Sequence, residues 1–508
     1  YTLQLLHYGD AEAGELALEA APGLAALVEG FEQQHERTLV VMGGDSFLAG
    51  PFLNAGADPA LNALAAVGVA APGRANLAMH NLIGVEAAAV GHHEWDLGSG
   101  VFMEAVAPEG AWGGANYPLV SLNLDSQNDS AAAARVTAVA RDDEASAVPE
   151  ASTVRSRLVP ATVVVKGGEK IGLIGVTTPL LAQLSRPTGT VAVGGGVVDL
   201  DALAQLIQPW IDELESEGAD KIVLLSHLRD LELERTLAGK LRGADVIVAS
   251  GSGARLSDAD DVAYPGQEAV AVGSYPLVTE DREGTPVLIV GTQGGMAHLG
   301  RLVVDFDLEG RVVVETLAER VADNGAFAAT AAQVAAAWGV AEDAVEATAY
   351  APGSRGARVR EVTEAVRGVL EAKDREVYGY TAVHLEGERA RVRSEETNLG
   401  NLTADAALAA VAGLWSEGVV SLRHAGSVHG SVGSFGGDGE RAAPEAAPGK
   451  PAGAVTRLDV ESVLRGDHGV MVLETTVAGL KALLEHGVSQ GAGSARYPQV
   501  GGLQMAWD

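Results

Sequence analysis

The chain has 508 residues, with 68 Asp and Glu against 35 Lys and Arg, no cysteine and a formal charge of −33. A hydrophobic content of 47% over that length predicts two or three domains with real cores, and excludes disorder over most of the chain. The missing cysteines exclude disulfides, thiolate metal sites and cysteine catalysis, and the acidity excludes a nucleic-acid polymer as the main partner.

Seven lysines accompany 28 arginines, a balance that suits solubility at high salt and that GC-rich coding also favours. No run approaches the roughly 18 apolar residues of a membrane span. The chain opens at Tyr1 and runs directly into a strand pattern, Thr2 to His7. A removed signal peptide, or a trimmed chain, explains such a start, and the expected location is secreted, periplasmic or cell-surface.

In chain order, Leu3–Leu6, Leu39–Met42, Ala87–Val90, Leu119–Leu122, Ile171–Val176, Ile222–Leu225, Val246–Ala249 and Val287–Val290 read as strands. Helical patterns such as Gly23–Gln34 and Leu200–Glu217 lie between them. That alternation predicts an α/β layered domain with buried sheets over residues 1–310. Polar residues follow the strands at Asp10, Asp45, His92, His227 and Ser250, where α/β folds bind ligands. An Ala-rich stretch, an Ala-Pro-Gly-Ser-Arg-Gly break at 351–356 and a charged helix at Arg358–Arg375 predict a helical linker over residues 311–375. A second α/β pattern occupies residues 376–508, with helices at Thr397–Val411 and Thr476–Gly487 and a strand at Val419–Leu422. The Gly-, Pro- and Ala-rich segment 430–453 reads as a surface loop.

The polar residues form an ordered set. Asp10 and Glu12 follow the first strand, Asp45 lies in Gly-Gly-Asp-Ser-Phe, then come Gly91-His92-His93-Glu94-Trp95-Asp96 and His227. One carboxylate can bridge two divalent ions while imidazoles complete their shells, and such a pair clamps a phosphoryl group. The second pattern adds Arg389-Ala-Arg-Val-Arg393 and Glu396-Thr-Asn-Leu-Gly-Asn-Leu402.

On these motifs the chain resembles the two-domain 5′-nucleotidases of the calcineurin-like metallophosphoesterase superfamily, nearly end to end. The resemblance implies an N-terminal αββα sandwich and a smaller C-terminal domain, apparently incomplete at Asp508. It implies metal-dependent hydrolysis of phosphomonoesters, with Asp10, Glu12, Asp45, His92 and His227 as ligands. Asp10, Glu12 and Asp45 would hold one ion, and Asp45, His92 and His227 the other. Glu12 stands where the family has a histidine, His92 where it has an asparagine, and Gly251 and Gly253 where it has two ligand histidines. The oxygen-rich first position suits Mn²⁺, Mg²⁺ or Ca²⁺, and the second Mn²⁺, Zn²⁺ or Fe. Ser250, Ser252 and Asp258 are secondary candidates.

The resemblance also makes His93, oriented by Asp96, the donor to the phosphoryl or leaving oxygen. It makes Arg389, Arg393, Asn398 and His429 substrate contacts, with His429 standing for a family arginine and Gly466 for a stacking Phe. Loss of a base platform points to a broad phosphomonoesterase for small phosphorylated substrates rather than one strict for nucleotides. The alternative is an inactive relative that binds a phosphoryl ligand or serves in surface assembly. Self-association, or a C-terminal segment supplied elsewhere, would complete the second domain's sheet.

Overall fold

A computed structural model describes residues 1–11, 14–137, 148–268, 271–411, 413–414, 418–435, 440–466, 469–489 and 491–506. Two compact units emerge, residues 1–48 with 52–367, and 49–51 with 368–508.

Two sheets build the first unit. Among the described residues one has seven strands, in the order Gly325–Ala328, His298–Asp305, Thr2–Tyr8, Thr38–Met42, Ala87–Ala89, Leu119–Val120 and Leu158–Val159. The other has six, in the order Leu277–Glu280, Pro286–Val290, Val246–Ala249, Lys221–His227, Glu169–Thr177 and Ala161–Lys166. The inner strands of both are parallel, as apolar runs on successive strands require when both faces are covered. Leu5, Leu39 and Val41 of the first sheet share one buried cluster with Leu173, Val223 and Val248 of the second. The far face of the second sheet packs Ile174, Ile222 and Leu224 against Leu203, Ile207 and Ile211 of the helix Leu200–Ser216. Helix Glu15–Glu32 covers the far face of the first, so the layers run α, β, β, α.

Strand His298–Asp305 pairs antiparallel with Thr2–Tyr8 and does not show as an apolar run in the sequence. Its Arg301 is buried, donating to Gln4 Oε1 at 2.8 Å and Gln34 Oε1 at 3.0 Å. Its Gly300 lies under the His7 ring, where a Cβ would overlap Nε2. The stretch 311–375, expected to be a helical linker, contains Gly325–Ala328, an edge strand of the first sheet. Its helix Ala331–Trp338 packs on Glu15–Glu32, with Trp338 Nε1 donating to the Ala26 carbonyl at 2.8 Å.

Within the second unit, helices Asn398–Val411, Arg457–Val463 and Val477–Val488 accompany short strand pairs. Ser421–His424 pairs with Pro498–Gly501, and Val377–Tyr380 with Ala454–Thr456. Leu385, Val392, Leu399, Val428, Val463 and Tyr497 form its core. Part of the segment 430–453 is a small hairpin, Ser434–Phe435 with Arg441–Ala442.

Burial keeps three histidines of the first unit neutral: it lowers His7, His80 and, with the charge of Arg255, His298, each to about 3. His7 Nε2 lies 2.7 Å from Tyr275 Oη and His80 Nδ1 2.9 Å from Tyr8 Oη, so both serve packing. The unfolded chain takes up these protons near pH 6.5, the fold only near 3. Their stabilising effect is complete above pH 6.5 and lost as pH falls towards 3. Thermal unfolding followed across that window should show a falling midpoint, with a shallower slope in His80→Gln.

Candidate metal centre and phosphate-binding residues

The candidate ligands of the first unit that the structure describes sit beyond the C-terminal ends of parallel strands. Asp10 follows Thr2–Tyr8, Asp45 follows Thr38–Met42, His92 follows Ala87–Ala89, and His227 ends Lys221–His227. Asp10 and Asp45 take left-handed backbone angles, φ 46° and 54°, a region that aspartate tolerates better than most residues. Gly91 lets the backbone pass close by, since a Cβ there would overlap Asp45 Oδ1.

Asp45 is the meeting point. Its Oδ1 accepts the His93 backbone N–H at 2.8 Å. Its Oδ2 lies 3.0 Å from His227 Nε2 and 3.0 Å from His92 Nδ1. Ligand atoms of Asp45, His92 and His227 all fall within 4.8 Å of one another, and all three residues are buried. Burial favours neutral groups, but His227 and His92 outweigh it and hold the Asp45 carboxyl well below the usual range. Burial likewise works against charge on His227, yet the charge and hydrogen bond of Asp45 push its imidazole up to about 10. Each of the two groups thus depends on the other for its charge. His227 Nδ1 donates to the Gly43 carbonyl at 2.7 Å, which leaves Nε2 as the nitrogen to offer a cation. His92 Nδ1 is buried without a well-aligned hydrogen-bond partner. A carboxylate and two imidazoles so placed fit one divalent cation.

Asp10 stands differently. Both its oxygens accept the Gly251 backbone N–H, at 2.9 and 3.1 Å. Burial, opposed by His227 and helped by Asp45, lifts its carboxyl to about 6. Glu12 lies outside the described residues. Ser250 is buried between Gly9 and Gly43, where a Cβ on Gly43 would overlap its Oγ. Ser252 Oγ accepts from Ala254 N at 3.1 Å, and Asp258 Oδ1 from Tyr275 N at 3.3 Å, so both accept from backbone.

His93 Nδ1 lies 2.7 Å from Asp96 Oδ2, and Ser185 Oγ donates to Asp96 Oδ1 at 2.7 Å. The His93 and His92 rings are 4.0 Å apart. Sequence reasoning gave Glu94 no role, although it lies in the same turn. Buried, it accepts the backbone N–H groups of Ser46 at 2.5 Å, Gly91 at 2.8 Å and Asp45 at 3.2 Å, plus Ser46 Oγ at 2.8 Å. Burial and then the charge of Asp45 lift its carboxyl to about 7. Only its place between two ligand-bearing loops shows its purpose, which is to clasp them together.

In the second unit Arg389 lies on the short helix Arg389–Val392, and Arg393 follows it. Arg393 Nε is buried without a hydrogen-bond partner among the described residues. Burial and then the charge of Arg389 hold its guanidinium below the usual range, the condition an anion would relieve. Asn398, expected as a substrate contact, bonds backbone groups of its own unit. Its Nδ2 donates to the His384 carbonyl at 2.8 Å and its Oδ1 accepts from Glu386 N at 2.7 Å, so its amide is used on backbone. His429 is exposed, its N–H bonded to the Val463 carbonyl at 3.0 Å.

A family model described as the 5′-nucleotidase C-terminal domain matches residues 377–508. The 5′-nucleotidase of Mus musculus is 24% identical over 432 residues, 84% of this chain. A 5′-nucleotidase precursor from Thermus thermophilus superposes with a TM-score of 0.62 and 25% identity, covering 98% of this chain and 81% of that one. Residues 377–508 belong to that C-terminal domain family, and over most of its length the chain is similar to 5′-nucleotidases. It spans 62% of the length of the mouse relative, and 62% of the snake venom 5′-nucleotidase of Gloydius brevicauda, 24% identical over 442 residues. Among the described residues no helix is long and apolar enough to cross a membrane.

Glu94→Ala should destabilise the fold by about 3 kcal/mol or more, because three buried N–H groups lose their acceptor. Ser46→Ala removes one hydroxyl partner and should cost about 1 kcal/mol. Urea denaturation of both variants checks the difference.

Proposed function

We propose that this chain hydrolyses phosphomonoesters, nucleotides among them, with two divalent cations. The observation that carries the reading is the convergence of Asp45, His92 and His227 on one point at the strand ends. In this reading those three residues hold one cation, and Asp10, Glu12 and Asp45 the other, drawn from Mn²⁺, Ca²⁺, Mg²⁺, Zn²⁺ or Fe. Bound cations would supply charge neutralisation for the phosphoryl group and acidify the attacking water.

The chain's own residues do the rest. Asp45 would be a ligand common to both cations, and it is held in place because its backbone is tied to Glu94 and its Oδ1 to the His93 N–H. His93 donates through Nε2 to the leaving oxygen, while Asp96 keeps Nδ1 protonated and Ser185 keeps Asp96 in place. Arg389 and Arg393 bind the anionic part of the substrate, as forked guanidiniums do. Secretion, or exposure at the cell surface, fits a scavenger of phosphate esters.

Turnover of 4-nitrophenyl phosphate and of AMP, measured across Mn²⁺, Ca²⁺ and Zn²⁺, tests the reading. Chelation should abolish both activities, and His93→Gln should lower kcat about 10²–10⁴-fold with KM little changed. No bound metal and no turnover under any of these conditions would overturn it. Turnover unchanged in Asp45→Ala would place the chemistry elsewhere.

A further inference from the structure

Two residues beyond His227 the backbone does something unusual. Arg229 takes φ 72°, in the left-handed region that glycine enters freely and a long side chain rarely does. Its N–H donates to the Ser250 carbonyl at 3.2 Å, which ties it to the loop carrying Gly251. A Cβ on Gly251 would lie 2.6 Å from Arg229 Cγ and 2.7 Å from His227 Nε2. The arginine's stem and the candidate ligand nitrogen therefore flank the same glycine, and any side chain at 251 would push both aside. Gly251 itself has φ 86°, which again leaves the position to glycine.

Arg229 Nε is buried without a hydrogen-bond partner, and among the described residues no carboxylate forms an ion pair with it. In a chain with 68 acidic residues and 35 basic ones, this half-buried arginine, its stem beside the glycine that His227 also flanks, has an N–H left to satisfy. Asp10 is already bonded to the Gly251 N–H, and Asp45 to His227 and the His93 N–H. A phosphoryl oxygen is the acceptor that suits a fork of N–H donors.

We propose that Arg229 is a phosphoryl-binding residue, which grips the substrate's phosphate oxygens beside the centre formed by Asp45, His92 and His227. Its stem lies beside Gly251, which offers no side chain to a cation. The assignment rests on the hydrolytic reading for its substrate, but its test does not.

Calorimetric titration of inorganic phosphate into Mn²⁺-loaded protein reads the interaction directly. Arg229→Gly suits the left-handed backbone and should keep the thermal midpoint and the Mn²⁺ affinity. It should weaken phosphate binding about tenfold or more, with Arg229→Lys between it and the native protein. Phosphate binding equal to native in Arg229→Gly would overturn the assignment. So would loss of Mn²⁺ in that variant, or native protein that takes up no phosphate. Turnover by the native protein together with phosphate affinity indifferent to Arg229 removes this assignment alone. Arg229-dependent phosphate binding without turnover of any phosphomonoester removes the hydrolytic reading alone.

Discussion

The Asp45 carboxylate facing His227 is the contact on which the rest depends. Asp45 leaves the end of a strand in the first sheet, and His227 ends a strand in the second. Their 3.0 Å approach joins the two sheets at the edge where the parallel strands stop. Burial makes that pairing consequential. Neither group could remain charged there alone, since burial pulls each towards its neutral form, and only the partner's charge reverses this. A divalent cation between them would satisfy the Asp45 carboxylate in place of the imidazole's charge.

Around this pair the chain invests in backbone rather than bulk. Glu94 gathers N–H groups from both loops, Gly43 presents a carbonyl to His227, and Gly251 presents an N–H to Asp10. Within a chain of overall charge −33, the His227 ring and the Arg229 stem lie close to the same glycine. The acidity thus disfavours polyanionic surfaces while leaving room for a single phosphate group.

Much of the fold was legible because buried parallel strands read as apolar runs, as Leu39–Met42 and Val246–Ala249 do. His298–Asp305 was not, because its Arg301 and Gly300 make sense only against Gln4 and His7, nearly three hundred residues away. The site was legible as residue types at strand ends. Its wiring was not. The sequence could not show that the Asn398 amide bonds backbone at both ends. Gly251 looked like a lost ligand, and its sequence letter could not show a backbone N–H turned to Asp10. Glu94 was in plain view within a motif, yet four hydrogen bonds to residues 45, 46 and 91 become visible only when the loops meet.

The central claim is that Asp45, His92 and His227 enclose a divalent cation. Anomalous diffraction from crystals of the intact chain grown with Mn²⁺ tests it most directly. The account predicts a peak within coordination distance of Asp45, His92 Nδ1 and His227 Nε2. Density at saturating Mn²⁺ with no peak there, or with peaks only at surface carboxylates, would contradict it.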